Sequence, residues 1–376
     1  MKKIVAKILL KLNLFYFFDF FRRLRFFNYR KHIPYVKIIF NEQTVEKANI
    51  KEISNVIHKR NIDSIAIALE TEKISSQWRD IYEHHQNDAV QMIKDKEYDA
   101  LKSLLSKPLS SDLMYGFDNL AKSLNSRFRL ETRNESEIAA DHFLALSEFC
   151  GNTNYFNPEE ILSPFKKEVF IDTIIKKLII ENFSDDFIFP NPFIGERGIQ
   201  TPWGSASLRV PAAIYQALRI IKFGKNICEI GPGLGRTAFF ANKLGANKYT
   251  LVDIPISSLC QGYFLGRALP SENFSFSNES EIESGIKFCQ PNDFLNNNEK
   301  YDVIFNSDSI TEIGENVANS YLKSFIGKTN LFMSINHEGN EFRVRDLAAK
   351  IPEYHLISIN RSWLRAGYVE ELYEIR

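Results

Sequence analysis

Residues 226–245, NICEIGPGLGRTAFFANKLG, pack a strand, a glycine turn and a helix into twenty positions, and Tyr249–Ile254 (YTLVDI) follows as a second strand. Gly231, Gly233 and Gly235 let the backbone turn sharply and let a ligand reach the helix N-terminus without meeting a Cβ. A strand, helix, strand succession demands a crossover and hence a parallel sheet. The same alternation runs on after Val210, with short apolar runs at Ile227–Ile230, Tyr249–Ile254, Ile286–Cys289, Val303–Asn306, Asn330–Ile335 and His355–Ile359 separated by helical spacing. The expectation for 210–376 is a Rossmann-like α/β domain, a mostly parallel sheet with helices on both faces.

The residues around the glycines narrow the ligand. A dinucleotide fingerprint, G-x-G-x-x-G, needs a glycine where Arg236 stands, and a P-loop needs four residues and a lysine where this chain has three residues and Arg236. Pro232 removes a backbone N–H from the turn, which harms phosphate cradling most. Glu229, two residues before the first glycine, would repel a diphosphate but suits a cationic amino group or a sulfonium. Asp253, eighteen residues after Gly235, fits the acid that accepts both ribose hydroxyls. Asp293, in the Pro291-Asn292-Asp293-Phe294 run after the third strand, could reach an adenine amino group or simply cap a helix, and Phe294 could flank the ring. The implied ligand is a positively charged, phosphate-free nucleoside.

At 376 residues the chain can bury two ordinary cores. From Thr44 to Leu146 apolar residues recur at helical spacing, as in Val45–His58, Trp78–Ile93, Tyr98–Leu105 and Ile138–Phe149, with stops at Pro108 and Ser110–Asp112. This reads as a mainly helical N-terminal domain over 33–182. Residues 183–209 crowd prolines and glycines among aromatics and read as an ordered connecting loop or lid. Four scattered cysteines, without a CxxC pair or zinc-ligand spacing, suit a reducing cytosol.

Formal charge balances, yet residues 1–32 hold nine basic residues against Asp19 alone, leaving 38 basic against 46 acidic in the remainder. That acidic body lacks the basic footprint of a nucleic-acid binder. In 1–32 the apolar run is broken by Lys7, Lys11 and Asp19, no cleavage site follows, and Leu12–Phe18 is too short to span a bilayer, which takes about 20 residues. Lys3, Lys7, Lys11, Arg22 and Arg25 share one helical stripe. Such a helix suits a membrane interface, and equally suits packing on protein with its lysines solvated.

Taken together, ICEIGPGLGR from Ile227, LVDIP from Leu251, FNSDSITEI from Phe305 and LFMSINHEG from Leu331 resemble class I S-adenosylmethionine-dependent methyltransferases. More narrowly, the chain is similar to the sugar O-methyltransferase family of bacterial glycan gene clusters. LSSDLMYGFDNLAK from Leu109, Asn157-PE and Asn191-PFIG add to the likeness, which covers about residues 100–376. The resemblance implies S-adenosylmethionine as cofactor, held by Glu229, Gly231, Gly233, Gly235, Asp253 and Asp293. It also implies a sugar or glycan acceptor, with no nucleic acid, at or near the cytoplasmic membrane face. The family pattern after the fourth strand carries an aromatic where this chain has Asp308.

Methyl transfer to oxygen needs alignment and removal of a hydroxyl proton. Ligands of open parallel sheets lie beyond the strand carboxyl ends, where Asn306–Glu312 and Asn336–Glu338 should emerge. Asn306, Ser307 and Asn336 are the substrate-binding candidates. His337 is the candidate base, with Glu312 and Asp308 as carboxylates to orient it, bind hydroxyls or hold a divalent metal. His337 could instead be a solvated loop residue, and Glu312 a helix cap. No metal triad follows from spacing. A cofactor-binding protein without turnover stays open as a second reading. So does a glycosyltransferase, although Ser307-Asp308-Ser309 does not supply its Asp-x-Asp.

Overall fold

A computed structural model describes residues 36–72, 76–125, 131–152, 167–270 and 272–376. The basic segment 1–32 lies outside them, so its two readings are untouched. Among the described residues no helix is long and apolar enough to cross a membrane.

Among the described residues thirteen strands form three sheets. β1 (Val36–Ile39) pairs in parallel with β3 (Lys167–Phe170). β2 (Glu42–Thr44), β4 (Arg197–Thr201) and β5 (Gly204–Ser207) form an antiparallel trio. The main sheet holds β6 (Asn226–Ile230), β7 (Lys248–Val252), β8 (Phe274–Ser275), β9 (Gly285–Cys289), β10 (Val303–Ser307), β11 (Leu331–His337), β12 (Tyr354–Arg361) and β13 (Tyr368–Ile375). Its order is β12-β13-β11-β10-β6-β7-β9-β8, parallel throughout except that β13 runs antiparallel to both neighbours. With the two-residue edge strand β8 set aside and the glycine strand counted first, the order runs 3-2-1-4-5 as in doubly wound sheets, but a reversed strand follows the fifth where the dinucleotide order has its sixth.

The central strands are buried on both faces, which is why they read as continuous apolar runs, whereas edge strand β12 is largely exposed. Strand alternation splits them between two cores. Ile227, Tyr249, Leu251 and Phe305 face the first. Cys228, Ile230, Val252 and Ile304 face the second, against Tyr321, Leu322 and Phe325 of the helix Glu315–Phe325. The six apolar runs expected as strands are all present in the sheet. β13 was missed: YVEELYEI has charges at three of eight positions, and the partners of Glu370 and Glu371, Arg219 and Arg345, are distant in sequence.

The N-terminal half is largely helical, with Asn55–Thr71, Ser76–Ile81, Asn87–Lys94, Tyr98–Ser106 and Glu131–Phe149, and a π-turn at Tyr82–Gln86. The helix expected at Val45–His58 starts instead at Asn55, because β2 and its hydrogen bond to the 183–209 segment, Val45 N–H to Glu196 C=O at 2.8 Å, hold the earlier residues extended. The stretch read as a loop over 183–209 carries β4 and β5, whose short polar residues hid the hairpin.

The two halves share the first core, which runs from Val36 to Leu364. Helix Asn55–Thr71 lies directly on helix Pro255–Ala268, where a Cβ on Gly262 would stand 2.3 Å from Asn61 Nδ2. Asn61 Nδ2 in turn donates to Leu259 C=O at 2.9 Å. Arg267, 2% exposed, donates to the Pro192 and Lys51 carbonyls, stitching the same helix to both N-terminal segments.

Candidate active site

The glycine turn leaves β6 at the carboxyl edge of the sheet. Gly231 N–H bonds Val252 C=O at 2.9 Å and Gly235 N–H bonds Pro232 C=O at 3.0 Å, closing a tight turn onto the helix Arg236–Lys243. Gly231 and Gly235 hold φ of +66° and +82°, and a Cβ would strike Ser309 at the first and press on Leu251 and Leu265 at the second. Gly233, φ +59°, is different. Nothing lies nearer its missing Cβ than Phe117 O at 3.8 Å, so there the turn faces open space.

Below it sits Glu229, 2% exposed, accepting a 2.7 Å hydrogen bond from Tyr249 O–H. Register pairs Glu229 with Leu251, which sets Asp253 two residues beyond it on the adjacent strand. Asp253 accepts from Ile254 N–H and from Gln261 Nε2, each at 2.8 Å, and Gln261 Nε2 also bonds Gly233 C=O at 2.8 Å. Burial pushes the Glu229 carboxyl up to about 8, with Asp253 adding to the effect, and pushes Asp253 up to about 7. Neither acid has a basic partner among the described residues. Asp293 lies at the solvent side of the short helix Pro291–Asn296, its carboxyl raised by partial burial. Phe294 does not flank a ligand: it is fully buried in the second core against Tyr301, Tyr321 and Phe325.

The N-terminal half closes this edge. The hydroxyl oxygen of Tyr82, in the π-turn, accepts Ile256 N–H at 3.1 Å and feels the charges of Asp253 and Glu72. Arg236, which displaced the third dinucleotide glycine, is buried and paired with Asp118 at 2.5 Å and Glu196 at 2.8 Å. The residue that broke one motif is therefore the tie between the turn, the 113–120 loop and the 183–209 segment.

The acceptor-side candidates divide. Asn306 and Asn336 are engaged within the protein. Asn306 Nδ2 donates to Ile230 C=O at 2.9 Å and its Oδ1 accepts Asn336 Nδ2 at 2.9 Å, while Asn336 also meets Ser334 and Thr311. Both are buried clamps between strand ends, their hydrogen-bonding capacity spent inside the protein. Ser307 takes Gln216 Nε2 at 3.0 Å in a chain to Thr237.

Asp308, Glu312 and His337 do come together. Asp308 adopts φ +65°, ion-pairs with Arg365, and keeps its buried Oδ1 without a hydrogen-bond partner. His337 Nε2 lies 3.8 Å from Glu312 Oε1. Glu312 is not a cap: Gly314 occupies that position for the following helix. Burial and the nearby Asp308 raise the Glu312 carboxyl, against the pull of His337 and Arg365. His337 Nδ1 accepts Gly339 N–H at 3.3 Å, which turns Nε2 toward Glu312.

Arg365 and Tyr368 were missed. They arrive because antiparallel β13 begins at this edge, with Tyr368 in register with His337. The Arg365 guanidinium lies 3.5 Å from the Tyr368 ring centre and also donates to its hydroxyl. Only the turn-forming Ala366-Gly367 pair ahead of a strand hinted at this in the sequence. Among the described residues no His, Cys, Asp and Glu cluster could hold a metal ion.

No family model matches the chain, and no curated protein matches it. Solved structures that resemble it include the magnesium protoporphyrin IX methyltransferase of Synechocystis with bound S-adenosylmethionine, at 14% identity and TM-score 0.31 over 44% of this chain and 76% of that one. A TehB-like S-adenosylmethionine-dependent methyltransferase of Corynebacterium glutamicum aligns at 13% identity and TM-score 0.33 over 43% and 87%. Scores this low carry no weight beside the geometry above.

Proposed function

We propose that the chain is an S-adenosylmethionine-dependent methyltransferase that methylates a hydroxyl oxygen of a sugar or glycan intermediate. The observation that carries it is the pair of carboxylates, buried Glu229 and part-buried Asp253, at adjacent strand tips with no cationic partner among the described residues, beneath a glycine turn open at Gly233. A buried acid without a base is costly unless a ligand supplies the charge. S-adenosylmethionine supplies an ammonium and a sulfonium, and its sulfonium methyl is the group transferred.

In this reading Glu229 faces the amino-acid end, directly or through water, and Asp253 takes the ribose hydroxyls. Asp293 lies toward the adenine. Asp308 and Glu312 face the acceptor, whose sugar character rests on the sequence resemblance. The strained, half-satisfied Asp308 favours turnover over mere cofactor holding, since a storage site has no need of it. The basic segment 1–32 would bring the acceptor side to a membrane surface, which fractionation of the full chain against one starting at His32 would test.

Calorimetry with S-adenosylmethionine, followed by labelled-methyl transfer across nucleotide-linked and lipid-linked sugars, tests the proposal. Binding that Asp253→Ala weakens at least 100-fold, together with a methylated sugar, supports it. Absence of cofactor binding by the wild-type chain sinks it.

A further inference from the structure

The two acceptor-side carboxylates are not equivalent, and the difference traces to one residue. Asp308 is held in the left-handed region at φ +65°, an arrangement that costs about 1 kcal/mol for a residue with a Cβ. It is kept there by its N–H bond to Ile335 C=O at 3.2 Å and by its ion pair with Arg365. Arg365 is itself fixed: one nitrogen meets Asp308, another the Tyr368 hydroxyl, and its plane lies over the Tyr368 ring. One carboxylate oxygen, Oδ1, stays buried and unpartnered. Glu312, by contrast, has a half-exposed side chain and touches only His337, at 3.8 Å.

We propose that Arg365 is a positioning residue that separates the roles of these two acids: it fixes Asp308 in an ion pair at the acceptor edge and leaves Glu312 as the proton acceptor. This rests on the methyl-transfer reading above. The acceptor oxygen forms a bond to the methyl carbon as the carbon–sulfur pair leaves on sulfur. The hydroxyl proton passes to a Glu312 oxygen and from there to water. One positive charge on the donor and one negative charge on Glu312 are both consumed, so the step balances. Near-neutral proton acceptance needs a carboxylate above its ordinary range, and Glu312 meets that condition through burial and Asp308.

The charged groups facing Glu312 are Asp308, His337 and Arg365. Those facing Tyr368 are Arg365, Asp308 and Arg209. Of these, Arg365 alone is ion-paired with Asp308 and also acts on Glu312.

The test is an infrared titration of carboxyl bands in the cofactor-free full chain, run on wild type, Glu312→Gln, Arg365→Gln and Arg365→Lys. The band lost in Glu312→Gln identifies that side chain. In Arg365→Gln its midpoint should rise by about one pH unit, as expected when an opposite charge leaves. Arg365→Lys, which keeps charge but not the planar fork, should restore most of the shift and serves if the glutamine variant does not fold. S-adenosylmethionine affinity should stay within twofold in both arginine variants. An unmoved midpoint in Arg365→Gln overturns the proposal, as does a wild-type Glu312 midpoint in the ordinary carboxylate range, or a cofactor affinity that falls with the arginine. If wild type binds no S-adenosylmethionine, the methyltransferase reading fails, and the titration outcome separately reports whether Arg365 sets the state of the acid pair.

Discussion

Two sets of acids stand on the same sheet edge and are neutralised in opposite ways. On the glycine-turn side, buried Glu229 and part-buried Asp253 meet, among the described residues, hydroxyl, amide and backbone donors, and their carboxyls are pushed to about 8 and 7. On the β10, β11 and β13 side most acids have an arginine: Asp308 with Arg365, Glu370 with Arg219, and Glu338 and Glu371 with Arg345, while Glu312 has only a histidine beside it. In the proposed reading a cationic ligand completes the first half. The second is largely paired in advance, which leaves Glu312 as its exception.

The residue between the halves should give the largest effect. Arg236→Ala would strand Asp118 and Glu196 inside the protein, and removing one member of a buried ionic cluster costs about 3–5 kcal/mol. The lost stability should depend on pH in a defined direction. Without Arg236 both carboxyls lie above their unfolded values, so the variant is steadiest at pH near 4 and weakens as pH rises through the folded values. Chemical denaturation at pH 5 and pH 8 checks this, and a variant equally stable at both would show that the triad does not span the junction.

Next in size is the contrast between two glycines two residues apart in the same turn. Gly231→Ala places a Cβ 2.1 Å from Ser309 Oγ at φ +66°, and should cost about 2–3 kcal/mol of folding stability. Gly233→Ala meets open space, so it should cost about 1 kcal/mol from its φ of +59° while its main effect falls on cofactor affinity. If both alanines act on stability alone, Gly233 does not face a ligand.

The charge contrast itself predicts a pH dependence. Raised folded values mean that Glu229 and Asp253 favour the cofactor-free fold below about pH 4.5 and lose that contribution as pH rises through about 7 to 8. A cationic ligand reverses the preference by favouring the ionised acids. S-adenosylmethionine should therefore bind more weakly as pH falls below about 7, by about tenfold per pH unit for each acid that must ionise. A dissociation constant that stays flat from pH 6 to 8.5 would place the binding charge elsewhere.

The same contrast explains what could be read from the sequence. The cofactor half lies within residues 229–253, so adjacent-strand register turns linear spacing directly into geometry. The acceptor half gathers residues from 308 to 368, joined only when β13 reverses direction, and nothing local marks Arg365 or Tyr368. Asn306 and Asn336 mark where spacing stops, because an amide that clamps two strand ends and one that grips a sugar look alike until burial is known. Phe294 marks the same limit, since an aromatic after a strand faces either the ligand or the core according to a helix turn that spacing does not fix.

The smallest expected effect concerns stored strain. Among the described residues Asp308 and Lys96 are the non-glycine residues with positive φ, at +65° and +56°. Comparing glycine with alanine at each position isolates the backbone, because both substitutions remove the side chain's own contacts and only alanine keeps a Cβ in the left-handed region. Asp308→Gly should be about 1 kcal/mol more stable than Asp308→Ala, and Lys96→Gly should lead Lys96→Ala by a similar margin. Lys96 follows the helix Asn87–Lys94, where a left-handed residue merely ends the helix, so either change there should leave methyl transfer intact. At Asp308 both changes should abolish most turnover while S-adenosylmethionine binding persists, since the acceptor-side anion is gone and the glycine-turn acids are not. Equal stabilities for the glycine and alanine forms at 308 would mean that the carboxylate, rather than a strained backbone, is all that this position contributes.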